Sequence, residues 1–110
     1  MKEIKAIVKT IMVENVLDAL MGIPDLPGVT VDEVEGFGRQ RGGGDQDEGQ
    51  YAFVQKSRLE IVVPDRLVDQ LVRVICEAAH TGQAGDGKIF VMDVLRAVRI
   101  RNGDEGDSAL

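Results

Sequence analysis

The feature that most constrains the fold of this chain is a run of apolar residues at helical spacing. This run lies between two segments that have the sequence pattern of β-strands. The apolar positions recur every three or four residues between positions 67 and 79. They are Leu67, Val68, Leu71, Val72, Val74, Ile75, Ala78 and Ala79. The segment "AFVQKSRLEIVV" before this stripe and "KIFVMDV" after it are typical of strands. Together they indicate an α+β domain.

The rest of the chain repeats this pattern. Residues 1–10 alternate as a strand, residues 14–21 have helical spacing, "VTVDEVEGF" resumes a strand, and "AVRIR" alternates near the C-terminus. Pro24 and Pro27 end the first helix because proline cannot continue one. The predicted order is strand, helix, strand, strand, helix, strand and a short terminal strand, which is the split βαβ arrangement of ferredoxin-like domains. A chain of 110 residues forms one such domain, 1–110.

Two polar segments and one cysteine complete the structural prediction. "GRQRGGGDQDEGQ", from Gly38 to Gln50, contains no apolar residue. It cannot bury itself, so we predict an exposed, mobile loop, although a plain hairpin linker would have the same composition. The polar segment "NGDEGDSAL", residues 102–110, is predicted to be a flexible tail. Cys76 borders the apolar stripe and is predicted to be a small buried hydrophobe.

Charge and composition exclude several classes of function. The formal net charge is −6, which argues against non-specific nucleic-acid binding, since that needs a basic surface. No apolar run reaches about 18 residues, as a membrane span requires. The N-terminal segment lacks the apolar block of a signal peptide, so a cytoplasmic location is expected. A single cysteine allows no intrachain disulfide.

The glycine-rich stretch "TGQAGDGKIF" partly matches a phosphate-binding P-loop. Gly82, four further residues, Gly87 and Lys88 fit the pattern, but Ile89 stands where a Ser or Thr should hold magnesium. A P-loop also opens a helix, whereas this loop leads from a helix into a strand. Gly85 and Gly87 still allow backbone N–H groups to approach a ligand, and Lys88 adds a positive charge. A phosphate site and an ordinary connection both remain open.

Two arginines in "AVRIR" form a second candidate phosphate site. The strand period places Arg99 and Arg101 on one face, about 6.6 Å apart. Guanidinium groups at this spacing suit successive phosphates, because each can bind oxygen bidentately. A solvated face, or salt bridges to the acidic tail, would explain them equally well.

A third candidate is "EGFGRQRGGG". Gly36 and Gly38 begin a G-x-G-x-x-G pattern that Arg41 leaves incomplete. At a strand end that opens into a loop, the segment could present backbone N–H groups, Arg39 and Gln40 to a ligand. No arrangement of Ser, His, Asp, Cys or paired carboxylates forms a recognisable catalytic centre, so an enzyme is not expected.

These stretches together resemble the PII signal-transduction family (nitrogen regulatory protein P-II). The segments "MKEIKAIVK", "VTVDEVEGFGRQRG", "LEIVVPDRLVDQLV", "TGQAGDGKIFVMDV" and "AVRIRNG" are similar to family segments from end to end. "TGQAGDGKIFVMDV" meets the pattern of the family's B-loop, here 81–88, at every position. The segment 38–56 corresponds to the family's T-loop.

The resemblance implies a homotrimer that binds ATP or ADP in the clefts between subunits. The positions that match the family's nucleotide site are Thr30, Gly36, Phe37, Gly38, Arg39, Gln40, Val62, Gly85, Asp86, Gly87, Lys88, Arg99 and Arg101. In the family, the B-loop residues hold the phosphates and the two arginines reach them from the neighbouring subunit. The positions of Thr30 and Val62 line the adenine pocket.

The resemblance also implies an effector site. Gln40 matches the residue that helps to bind magnesium on ATP, to which 2-oxoglutarate is chelated. Lys56 matches a lysine that meets a carboxylate of that effector. In this family magnesium is held without a P-loop hydroxyl, which accounts for Ile89.

One departure from the family lies near the tip of the T-loop. The family usually carries "YRGAEY" there, with a tyrosine that can be uridylylated, whereas this chain has "DQDEGQY". Tyr51 does not match the modifiable tyrosine, so uridylylation is not expected.

The expected function is a sensor that reports ATP or ADP binding through the T-loop to a partner. The partner would be an enzyme of nitrogen or carbon metabolism, a transporter or a transcription factor. Three alternatives remain: a divergent sensor of another metabolite or anion, a nucleotide hydrolase or transferase, and a structural trimer that has lost its ligand.

Overall fold

The computed structural model describes residues 1–39 and 51–110 and confirms the predicted α+β, ferredoxin-like class. Its main elements are β1 (Lys2–Val8), α1 (Val13–Met21), β2 (Thr30–Arg39), β3 (Tyr51–Val63), α2 (Val68–Ala79) and β4 (Gly87–Asp93). The strands form one antiparallel sheet in the order β2-β3-β1-β4. The central strand β1 therefore pairs with β3 on one side and with β4 on the other.

The core lies between one face of this sheet and the two helices. Alternate residues of β1 and β3 are buried because successive side chains of a strand point to opposite faces. The helices supply the residues of their apolar stripes. The main members of this cluster are Ile4, Ala6, Val8, Leu59, Ile61, Val63, Val16, Leu20, Leu71 and Ile75. Each large side chain buried in this way contributes about 1.5–3 kcal/mol relative to an exposed one.

The opposite face of the sheet carries charged residues that pair across the strands. The Arg58 guanidinium lies 2.7 Å from a carboxylate oxygen of Asp32 and 3.4 Å from one of Glu60. Lys5 lies 3.9 Å from Glu60. We call this partly exposed surface the open face. It positions the candidate site, which lies at one end of it.

The short strand predicted from "AVRIR" does not form. Val98 makes a single bridge to Glu105, and the chain then turns at residues 100–102. The Gly103 amide donates to the Arg99 carbonyl at 2.8 Å, and the positive φ of Gly103, 74°, permits so tight a reversal. The predicted flexible tail, 102–110, is part of this turn and ends in a 3₁₀ helix, Gly106–Ala109.

The strands on either side of the predicted mobile loop are longer than the sequence indicated. Of the predicted T-loop, 38–56, residues 38–39 pair with residues 51–52, and β3 already includes residues 51–56. Residues 38–39 therefore belong to β2 rather than to the predicted mobile loop, because residues without apolar side chains can still pair through their backbones, whereas the strand predicted from Ala52 onward is confirmed. Residues 40–50, to which the remaining loop predictions apply, lie outside the described ranges.

Cys76 is exposed on α2 rather than buried. It follows the buried Ile75, and each residue of an α-helix turns by about 100° from the one before it. One position is therefore enough to carry the thiol off the apolar stripe. In the described part of the chain the longest helix has 12 residues, and none is long and apolar enough to span a membrane.

Candidate functional site

A cavity of about 700 Å³ lies at the end of the open face, where β1, β3 and β4 meet the glycine-rich loop. We call residues 81–88 the glycine loop. The cavity brings this loop together with the "GFG" segment of β2, two of the three stretches singled out in the sequence. Its lining residues are Ile7, Lys9, Gly36, Phe37, Gly38, Val54, Gln55, Lys56, Ala84, Gly85, Gly87, Lys88 and Phe90.

Asp86 fixes the conformation of the glycine loop from within. Its carboxylate accepts hydrogen bonds from the Thr81 hydroxyl at 2.5 Å, the Thr81 amide at 2.8 Å and the Gly82 amide at 2.9 Å. These bonds, with those from Thr81 the strongest, hold the pKa of Asp86 well below its usual range. Asp86 is absent from the cavity lining, so its carboxylate stabilises the loop itself. Gly85, Gly87 and Lys88 of the loop line the cavity.

Two glycines allow the loop to lie against the sheet. Gly87 has a φ of 109°, and a Cβ atom there would lie 1.7 Å from the carbonyl oxygen of Ile7. Gly85 has a φ of 89°, and its Cβ would lie 3.4 Å from the Lys56 ammonium. Both positions favour glycine, since other residues rarely adopt such backbone angles. Backbone groups can therefore approach a ligand closely here.

Three lysines surround the cavity, although the chain as a whole is acidic. Lys88 extends from β4, Lys56 from β3 and Lys9 from the end of β1. The Lys56 ammonium donates to the Gly85 carbonyl oxygen. Partial burial lowers the pKa of Lys56, and the nearby charge of Lys9 lowers it further. The Asp86 carboxylate offsets part of this repulsion, and an anion in the cavity would offset more of it.

Apolar and aromatic side chains line the rest of the cavity. Ile7 and Phe90 lie on the open face beside Lys88. Phe37 is 62% exposed. Its ring stacks on that of Tyr51, with centroids 5.5 Å apart, and is tilted against that of Phe53, with centroids 4.9 Å apart. Tyr51, which we do not expect to be modified, thus begins β3 as part of an aromatic cluster.

Other predicted residues lie elsewhere. Thr30 and Val62 occupy the open face toward the opposite end of its strands, and neither lines the cavity. Arg99 and Arg101 lie in the C-terminal turn, also outside the cavity lining, and not on one face of a strand as predicted. Gln40 is outside the described residues, as is the side chain of Arg39, although its backbone ends β2.

Sequence reasoning missed Lys9. This residue directly follows the first strand, and its ammonium lies 3.3 Å from both the Asp86 carboxylate and the Thr81 hydroxyl. The available signal was a cation immediately after a strand, which is too common to single out a site. Only the pairing of β1 with β4 brings it to the glycine loop.

The described part of the chain shows no candidate metal site. Residues 1–39 and 51–110 contain no group of three or more His, Cys, Asp and Glu side chains that could hold a metal ion. The predicted magnesium contact, Gln40, falls in the undescribed segment.

Comparison with known proteins agrees with this architecture. Residues 1–104 match the family model described as nitrogen regulatory protein P-II. The chain is 47% identical to the nitrogen regulatory protein P-II of Haemophilus influenzae and 48% identical to the nitrogen regulatory protein P-II 1 of Escherichia coli K12. Both alignments cover 100% of each chain.

A solved structure extends the similarity to three dimensions. The crystal structure of Arabidopsis thaliana PII bound to citrate superposes with a TM-score of 0.83 at 38% identity, covering 99% of this chain and 91% of that one. Together, the full-length matches in sequence and the shared fold confirm the resemblance drawn from the glycine loop and the "GFG" segment. The chain belongs to the P-II family of nitrogen regulatory signal-transduction proteins.

Proposed function

We propose that this protein binds ATP or ADP at the cavity and reports the bound nucleotide to a partner protein through its T-loop, residues 38–56. The observation that carries the proposal is the cavity lining. Lys9, Lys56 and Lys88 surround it beside the glycine loop, and no carboxylate-bearing residue of the described chain is among its lining residues. In a protein of net charge −6, such a local concentration of cations favours a polyanionic ligand.

The cavity suits a nucleotide in size and in composition. Its volume of about 700 Å³ lies within the range of roughly 300–1,000 Å³ that is usual for small-molecule sites. Lys88 and the backbone of Gly85 and Gly87 would contact phosphate oxygens. Ile7 and Phe90 offer apolar surface next to them.

The proposed site is completed by a second copy of the chain in a homotrimer. Thr30, Val62, Arg99 and Arg101 match family positions of the nucleotide site but do not line this cavity. From Lys56 to Val62 along β3 is about 20 Å, at about 3.3 Å per residue. A neighbouring subunit can place these residues opposite the glycine loop. Mg–ATP together with Gln40 and Lys56 would then hold 2-oxoglutarate.

Signalling would follow from the connection between the cavity and the loop. Gly36, Phe37 and Gly38 lie near the end of β2, and Lys56 lies in β3, so the same two strands line the cavity and lead into residues 40–50. A ligand that binds one conformation of these strands more tightly than another increases the population of that conformation, and a partner protein can recognise the change. The role is regulatory, and steady release of phosphate from ATP above background would contradict it.

We expect ATP and ADP each to raise the midpoint of thermal unfolding. A ligand bound only by the folded protein stabilises it by about 2.7 kcal/mol when present at a hundred times its Kd. Scans of the wild-type protein with and without each nucleotide measure this, and displacement of one nucleotide by the other tests for a single shared site. An unchanged midpoint with both would favour the structural trimer that has lost its ligand.

A second candidate ligand is a polycarboxylate. The related Arabidopsis structure contains citrate, and the lysines around the cavity of this chain would also attract carboxylates. Unfolding scans with citrate or 2-oxoglutarate, each with and without Mg–ATP, separate the cases. Stabilisation by a polycarboxylate alone would favour this candidate, whereas stabilisation that requires Mg–ATP would favour the nucleotide-dependent effector site.

A further inference from the structure

The two arginines of the C-terminal turn have different surroundings. Arg99 Nη1 lies 3.5 Å from Asp104 Oδ2, and Arg99 Nη2 donates to the main-chain oxygen of Leu110 at 3.3 Å. The Arg99 side chain is 34% exposed. Arg101 is exposed, and within residues 1–39 and 51–110 it makes no hydrogen bond or ion pair. Within the described residues, the turn therefore orients the Arg99 guanidinium and makes no polar contact with that of Arg101.

We propose that Asp104 is a positioning residue, which holds Arg99 in the orientation needed to bind a nucleotide phosphate. This inference rests on the proposed function, since it assumes that Arg99 reaches the nucleotide of a neighbouring subunit. Arginine carries a large rotamer entropy, and a side chain oriented beforehand loses less of it on binding.

Asp104 is itself held in place. Its backbone amide donates a hydrogen bond to the Asn102 side-chain oxygen at 3.0 Å. The Asn102 amide group donates to the Asp104 carboxylate at 3.1 Å. The Arg99 amide donates to the Asp104 carbonyl at 2.8 Å. Hydrogen bonds of its side chain and its main chain thus hold Asp104 in the same turn as Arg99, as a positioning group requires.

Asp104 could also compete with the phosphate for the Arg99 guanidinium, but we expect its positioning effect to be larger for two reasons. Asp104 is 46% exposed, and an ion pair at this exposure contributes no more than about 1 kcal/mol, so sharing the guanidinium costs the phosphate little, while the bond to Leu110 also holds Arg99 in place. A guanidinium also has five N–H donors. The contacts to Asp104 and Leu110 leave the others available to phosphate oxygens.

The test compares three variants of the full chain by calorimetric titration with ATP. Asp104→Ala should weaken binding about threefold to tenfold, which corresponds to the cost of ordering one side chain. Asp104→Asn should stay within about twofold of the wild type, since its amide oxygen can still accept from the guanidinium. Glu105→Gln is the matched control, because Glu105 pairs with Arg96 at 2.8 Å and not with Arg99. Tighter binding by both Asp104 variants would show competition and overturn the proposal.

A double-mutant cycle separates positioning from a general effect on the turn. In the Arg99→Ala background, Asp104→Ala should cause no further loss, because its only route to the ligand has been removed. An equal loss in that background would overturn the proposal. If the wild type binds no ATP, the proposed function itself fails. If the wild type binds but Arg99→Ala binds equally well, the nucleotide proposal stands and this inference does not.

Discussion

Gly87→Ala is expected to destabilise the protein more than any other alanine substitution of a glycine in the described chain. The added Cβ would lie 1.7 Å from the carbonyl oxygen of Ile7 and 2.8 Å from its carbonyl carbon. Both are backbone atoms of the central strand, so no side-chain rotation relieves the overlap. The φ of 109° adds backbone strain. We expect a loss of at least about 3 kcal/mol, a large part of the roughly 5–15 kcal/mol that stabilises such a domain.

Two other glycines provide matched controls for this prediction. Gly103 has a φ of 74°, but no atom of residues 1–39 and 51–110 lies within 4 Å of its Cβ position, so Gly103→Ala measures strain without overlap. Gly38 has no positive φ, and no atom of the described residues lies within 4 Å of its Cβ position. Urea unfolding should rank Gly38→Ala as the most stable variant, Gly103→Ala as intermediate and Gly87→Ala as the least stable. A Gly87→Ala protein as stable as Gly103→Ala would contradict the close packing of β4 on β1.

Lys88→Ala is expected to weaken ATP binding roughly tenfold to a hundredfold, which corresponds to the loss of one hydrogen bond to a charged group. Lys88 pairs with Ile7 across β1 and β4 and lines the cavity next to Gly87. Removing its side chain leaves a phosphate without its cation and creates no overlap, so the fold should be retained. Calorimetric titration measures the affinity, and thermal unfolding without ligand checks the fold.

Lys2→Ala is the matched control for Lys88→Ala. It removes the same charge from the same sheet, but Lys2 pairs with Asp93 at the opposite end of β1 and β4. Long-range electrostatics alone would weaken ATP binding about equally in both variants. We expect a large loss only for Lys88→Ala, and an unchanged affinity in that variant would refute its assignment to the phosphates.

The fold was predictable because its signal is periodic and local. The helical stripe that contains Leu71 and Ile75 and the alternation of Leu59 with Ile61 each determine which face is buried, and the order of these elements leaves few possible topologies. The C-terminal turn was not predictable in this way. "AVRIR" alternates as a strand does, but Gly103 and the Asn102–Asp104 contacts reverse the chain before a strand can extend.

The candidate site was predictable where the backbone itself requires a particular residue. Gly85 and Gly87 were identified from their pattern, and their positive φ angles explain why glycine stands there. Lys9 was not identified, because only the pairing of strands distant in sequence brings it to the glycine loop. The positions of Arg99 and Arg101 relative to the cavity were also beyond sequence reasoning, since the resemblance assigns them to a neighbouring subunit that a single chain does not contain.

The central claim is that each nucleotide site combines the glycine loop of one subunit with the arginines of another. Mixed assemblies of Lys88→Ala and Arg101→Ala chains, co-produced with two different tags and purified through both, test it most directly. In a mixed trimer about one cleft in three receives Lys88 from one chain and Arg101 from its neighbour. We predict that these assemblies regain binding of wild-type affinity at that fraction of sites. Binding as weak as that of either variant alone, in assemblies shown to contain both chains, would contradict a shared site.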